Sequence, residues 1–201
     1  MSGIIARWEW RTFGSDFGKA EARIAAHPVT RKLESSEVYI LSARSADNTK
    51  IRDALMDIKT LQRVNDEGLE QWIPVMKESF PIAVEVLRKV YAHWNVEAPD
   101  LNELTYSYEQ FLGELVRVHP DLTAVDVFKN RTGYMIGDCI VEIANLRFDE
   151  TAIRTIAVEM ADPDLVMKTV DGLSLGKFEN INYVSALKRF AGMPPVSFEK
   201  C

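Results

Sequence analysis

The chain is poor in the residues that most readily announce chemistry. It has 2 cysteines and 3 histidines in 201 residues. Cys139 and Cys201 form neither a metal-ligand pattern nor a disulfide framework, and His27, His93 and His119 are scattered without paired ligand spacing. Structural or surface roles are expected for the histidines. Cys139, in the run "CIVEIANL", is expected to be a small buried apolar residue. A phosphate loop is also missing, because the two glycines of "GYMIGD" have no accompanying lysine and no strand–loop–helix context. No apolar run approaches the roughly 20 residues of a membrane span, and "MSGIIARWEWRTF" lacks a basic segment followed by an apolar run of signal length. A cytoplasmic location without a membrane partner is the expectation. Positive charge is scarce too: 24 Lys and Arg stand against 30 Asp and Glu, a net charge of −6. That argues against a general nucleic-acid binder. It leaves room for a small anionic substrate, which needs only a local cluster of cations.

Apolar residues are plentiful, at 47%, enough for a full core. With 201 residues and no repeat, low-complexity segment or linker, one domain over 1–192 and a loosely ordered tail over 193–201 are expected. Strands are predicted at 4–13, 36–43, 49–54, 55–61 and 69–75, the last with Pro74 pushing it towards an edge or a strand end. A helix is expected from about Ser15 to before Pro28. Two more are expected in the middle, over 80–94 with Pro81 in the first turn and over 101–116. Strands return at 122–136, 138–148 and 153–161, the first two joined by a turn at "IGD". A helix capped by Asp162, with Pro163 inside and Gly172 near its end, and a short one in "NYVSALKRFAG" complete the series. Strands, helices, strands and helices without regular alternation imply an antiparallel α+β domain whose sheet is able to close into a barrel.

Several strands carry charges two residues apart, a spacing that sends both side chains to one face. Glu9 and Arg11, Lys50 and Arg52, Asp57 and Lys59, and Lys129 and Arg131 are such pairs, while Glu142 and Glu159 sit between apolar neighbours. Any one pair suits a solvated face. Like charges at that spacing repel, however, and repeated use of cations on an acidic chain needs another reason. A polyanion converts the repulsion into attraction, and guanidinium groups match phosphate geometry. Trp8 and Trp10 share the face opposite Glu9 and are expected to pack against a helix. Lys77 is expected to be solvated.

In this order, "WEWRTF", "EVYIL", "TKIRDALMDIKTL", "VFKNRTGYMIGDCIVEIANLRF", "TIAVEMADPDLVMKTVDGLSL" and "NYVSALKRF" resemble the CYTH proteins, or triphosphate tunnel metalloenzymes, over most of residues 5–190. The resemblance implies a closed eight-stranded antiparallel β-barrel with flanking helices, and a polar tunnel in which cations grip a triphosphate. It implies hydrolysis of a triphosphate or polyphosphate assisted by Mg²⁺ or Mn²⁺ held by glutamates. Carried over by position, Arg11, Lys50, Arg52, Lys59, Lys129 and Arg131 match phosphate-binding cations. Glu9 and Glu159 match metal-binding acids, with Glu142 a further one, and Glu9, Glu159 and Lys59 are the catalytic candidates. The family's Glu-x-Glu-x-Lys signature reads here "RWEWR", with Arg7 in place of the first glutamate and Arg11 in place of the lysine. Ala157 replaces a later glutamate. An arginine at a metal position repels the ion. Either Glu37 or Asp57 compensates, or the metal is bound weakly, or the domain binds polyphosphate or a nucleotide without cleaving it. A polar face that contacts a partner protein is the remaining reading. Substrate choice and association of two copies stay open.

Overall fold

The computed structural model describes residues 6–148 and 151–195. Eight strands form a closed barrel in the order β1-β10-β9-β8-β2-β3-β4-β5. They are β1 (Trp8–Gly14), β2 (Val29–Ser42), β3 (Asn48–Arg52), β4 (Leu55–Val64), β5 (Glu70–Ser79), β8 (Leu122–Ile136), β9 (Cys139–Phe148) and β10 (Thr151–Met160); β6 (Ile82–Ala83) and β7 (Thr105–Tyr106) make a separate two-stranded sheet. The helices are α1 (Lys19–Ala25), α2 (Val84–Trp94), α3 (Tyr108–Gln110, running into a π-helical stretch Phe111–Val116), α4 (Pro163–Gly172) and α5 (Tyr183–Phe190). The antiparallel α+β barrel expected from the sequence is therefore present. Among the described residues no helix is long and apolar enough to cross a membrane.

By internal contact the chain divides into two compact units. The first comprises 1–36, 61–73 and 127–183. Its core joins Trp10, Tyr134, Val141, Ile156 and Val158 of the strands to Phe17, Ala20 and Ile24 near and on α1 and to Val166 and Val170 of α4. Trp10 thus packs on helices as expected, with Trp8 against the same core. Cys139 is buried there, and Thr169 donates a hydrogen bond to its Sγ. Asp162 caps α4 by accepting from the Asp164 amide. Gly137 supplies the positive φ, 57°, that the predicted turn between β8 and β9 requires.

The second unit comprises 37–60, 74–126 and 184–201. Its core sets Val38, Ile40, Ile51, Met56 and Ile58 against Leu87, Val90, Tyr91 and Trp94 of α2 and Phe111, Leu115 and Val116 beyond α3. Fully burying each large side chain of this kind contributes about 1.5–3 kcal/mol. Buried Thr49 accepts from Trp94 Nε1 at 2.9 Å, so even the polar residue on this face has a partner.

Three sequence expectations need correction. The strand predicted at 36–43 begins at Val29, because its exposed first half, "VTRKLES", lacks the apolar alternation by which a strand is recognised. The helix predicted over 80–94 begins at Val84, after a cis Phe80–Pro81 bond and the short strand β6, so Pro81 lies outside its first turn. The segment 101–116 is a short strand, one α-turn and a π-helical stretch instead of one helix, the turn starting at a Ser107–Gln110 capping box. Pro74 sits within β5, yet among the described residues β5 pairs with β1 only through Gln71 and Glu70, and Pro74 falls beyond that ladder. Residues 196–201, most of the expected loose tail and Cys201 with it, lie outside the described residues.

Candidate functional site

Alternation places the charged residues on the face turned away from the helix-packed cores, which in a closed barrel is the inner one. In the first unit the register is explicit. Glu9 pairs with Glu159, Arg11 with Ala157, and Phe13 with Thr155 across β1 and β10. Ala157 continues to Glu142, then to Gly133, while Arg131 lies opposite Ala144 and Lys129 opposite Leu146. Glu9 also pairs with Glu70 of β5. Glu159, Glu9 and Glu70 therefore stand in one row across three neighbouring strands.

Arg11 is the centre of this cluster. It is 8% exposed. Its Nε donates to Glu9 Oε1 at 2.6 Å and an Nη donates to Thr155 Oγ1 at 3.3 Å. Thr155 in turn donates to the carbonyl of Thr12. Burial alone pulls the guanidinium pKa down, but the charge and hydrogen bond of Glu9, followed by the charges of Glu142 and Glu159, raise it well above its ordinary value. The Arg11 backbone is bound on both sides by the segment before α5: its N–H donates to Asn180 Oδ1 and its carbonyl accepts from the Ile181 amide. Lys129 is 5% exposed, with Nζ 4.1 Å from the centroid of the Tyr183 ring; Arg11 Cζ lies 5.3 Å from the same centroid. Arg131 donates to Ser35 Oγ at 2.9 Å.

The carboxylates are engaged as well. Glu70 accepts from Asn182 Nδ2 at 2.9 Å and from Trp72 Nε1 at 3.0 Å. Burial is the main reason its pKa is raised; these two hydrogen bonds oppose the shift and the neighbouring Glu9 charge adds to it. Arg7 reaches Glu159 at 3.9 Å.

In the second unit Lys50 lies opposite Asp57, and Asn48 opposite Lys59, across β3 and β4, while Tyr39 lies opposite Lys50 across β2 and β3. Lys50 Nζ is 3.8 Å from Asp57 Oδ2, and an Arg52 Nη is 3.5 Å from Glu37 Oε1. Glu37 is 1% exposed and also accepts from the Tyr39 hydroxyl at 3.2 Å. Burial pulls the Lys50 pKa down, with Lys59 and Arg52 adding to the effect and Glu37 and Asp57 opposing it. Arg52 Nε also lies 3.9 Å from Oδ2 of the exposed Asp53, so three cations here accompany three carboxylates.

Each predicted cation is thus located: Arg11, Lys129 and Arg131 in the first unit, and Lys50, Arg52 and Lys59 in the second. Glu9, Glu142 and Glu159 belong with the first group. Sequence reasoning missed Glu70, Thr155, Asn182 and Tyr183. Glu70 was detectable as the residue two before Trp72 on a predicted strand, whereas Tyr183 begins a helix and carries no strand-spacing signal. Lys77 is exposed. His93 bonds Asp47 at 2.8 Å and His119 the Glu97 carbonyl at 3.1 Å, the structural roles expected of them.

Among the described residues no three His, Cys, Asp or Glu side chains come together as ligands. Glu9 is bonded to Arg11, and Arg7 adds positive charge beside Glu159.

No protein-family model matches the chain, and no curated protein matches it. Solved structures do. A Hippeastrum protein, proposed as an adenylyl cyclase and described as having a dominant triphosphatase activity, aligns over 94% of this chain and 97% of its own, with a TM-score of 0.52 and 12% identity. A Pyrococcus horikoshii OT3 protein aligns over 88% and 97%, at TM-score 0.48 and 13% identity. A Bacillus halodurans protein proposed as an adenylate cyclase aligns over 90% and 95%, at 0.48 and 10%. The first is near enough to establish a shared fold, and its identity carries the likeness no further.

Proposed function

We propose that this chain binds a triphosphate or short polyphosphate through the inward cations of its barrel strands. The observation that carries the reading is the burial of Arg11 and Lys129 on one face of the first unit, both against Tyr183. Two cations held on one buried face give a polyanion a low-dielectric, preorganised set of donors. The triphosphatase activity described for the Hippeastrum protein of the same fold supports this class of ligand.

Hydrolysis assisted by Mg²⁺ or Mn²⁺ is the second reading. It is favoured by the row Glu159–Glu9–Glu70, and it requires those carboxylates to leave their present partners. Two measurements separate the readings. Calorimetric titration with tripolyphosphate, in chelator and then in Mg²⁺ or Mn²⁺, reads binding. Phosphate release under the same conditions reads turnover. Binding in chelator without release supports the first reading, whereas release that depends on metal supports the second. Absence of both leaves the partner-protein reading of the polar face.

A further inference from the structure

Tyr183 is the first residue of α5 and is buried on the inward side of the first unit. It is absent from the strand pattern, yet it touches the most buried cations of the cluster. Lys129 Nζ lies 4.1 Å and Arg11 Cζ 5.3 Å from its ring centroid, both within the range of a cation–π contact. Phe13 meets the ring edge-on at 5.3 Å and 78°, which fixes its plane. The segment just before it is anchored at three points: Asn180 and Ile181 hydrogen-bond the backbone of Arg11, and Asn182 donates to Glu70. One short stretch therefore sets an aromatic ring against a guanidinium and an ammonium group and secures the strand that bears the first.

We infer that Tyr183 is a positioning residue for anion binding: its ring packs against both Arg11 and Lys129 and orients them for a ligand. This rests on the phosphate-binding reading above. The ring is suited to the task because its quadrupole attracts both cations, adding to the hydrogen bond that Arg11 makes to Glu9. The aromatic face keeps the two donors aligned.

The test compares wild type, Tyr183→Phe and Tyr183→Leu by calorimetric titration with tripolyphosphate, with the melting temperature of each ligand-free protein recorded alongside. Tyr183→Phe, which keeps the ring and the contact with Phe13, is expected to bind within about twofold of wild type. Tyr183→Leu, which keeps apolar volume without a quadrupole, is expected to bind about 5- to 30-fold more weakly. If Tyr183→Leu does not fold, Tyr183→Met provides the same comparison with a flexible apolar side chain. Equal binding by the ringless variant and wild type would overturn the inference. So would an equal loss in Tyr183→Phe, which would assign the role to the hydroxyl. Failure of wild type itself to bind tripolyphosphate would instead remove the reading on which the inference stands.

Discussion

Replacing Glu37 by glutamine is expected to destabilise the protein and tighten its grip on polyphosphate. Glu37 is buried, with Arg52 at 3.5 Å and the Tyr39 hydroxyl at 3.2 Å. At that separation and an effective dielectric near 20, the gross attraction between Glu37 and Arg52 is about 5 kcal/mol. Much of it is offset, since the carboxylate is fully desolvated while the Arg52 side chain, 39% exposed, regains water once unpaired. Glutamine keeps the shape and an acceptor for Tyr39. The expected net loss is therefore about 1–2 kcal/mol, read as a lower urea midpoint with unchanged slope. Binding should move the other way. Glu37 competes with an anion for Arg52. Removing that competitor should tighten tripolyphosphate binding by about 5- to 10-fold at pH 7, worth about 1–1.4 kcal/mol. Calorimetry at fixed ionic strength measures it. Weaker binding in Glu37→Gln would refute the reasoning, because it would make the carboxylate part of the ligand's own coordination.

How much could be read beforehand varied with the physical signal. Strands β8 and β9 were legible almost to the residue, because long apolar–polar alternation and a glycine-bearing turn specify both register and reversal. Helix α4 was legible through Asp162, Pro163 and Gly172. The segment around α3 was not, since π-helical hydrogen bonding and a two-residue strand leave no periodic trace. Spacing of two identified Arg11, Lys50, Arg52 and Lys129 as residues sharing a face. It was silent about what they touch: Tyr183 and Asn182 come from a distant helix start, and Glu70 joins Glu9 through a pairing that closes the barrel.

Three further outcomes are expected. Lys129→Met should weaken tripolyphosphate binding about 10- to 100-fold, the loss of one charged hydrogen-bond donor. Unchanged affinity in calorimetric titration would contradict this. Lys188 is 3% exposed, donates from Nζ to the Ser45 carbonyl at 2.6 Å, and is pushed down to about 8 by burial. Between about pH 8 and the ordinary lysine value of 10.5 the unfolded chain retains a proton that the folded chain has released, so Lys188 makes stability rise with pH there. Urea midpoints across that window should rise more in wild type than in Lys188→Met, and parallel curves would count against the assignment. Asp162→Ala removes the cap on α4 and should cost about 1 kcal/mol of stability, with tripolyphosphate affinity unchanged.

The central claim is that inward cations of the barrel strands bind an extended polyanion. Its most direct test is affinity against chain length, measured for orthophosphate, pyrophosphate and tripolyphosphate with one protein preparation at constant ionic strength. Affinity is predicted to rise at each added phosphate and to fall when salt is increased. Equal affinity for all three, or no binding by any, would contradict the account.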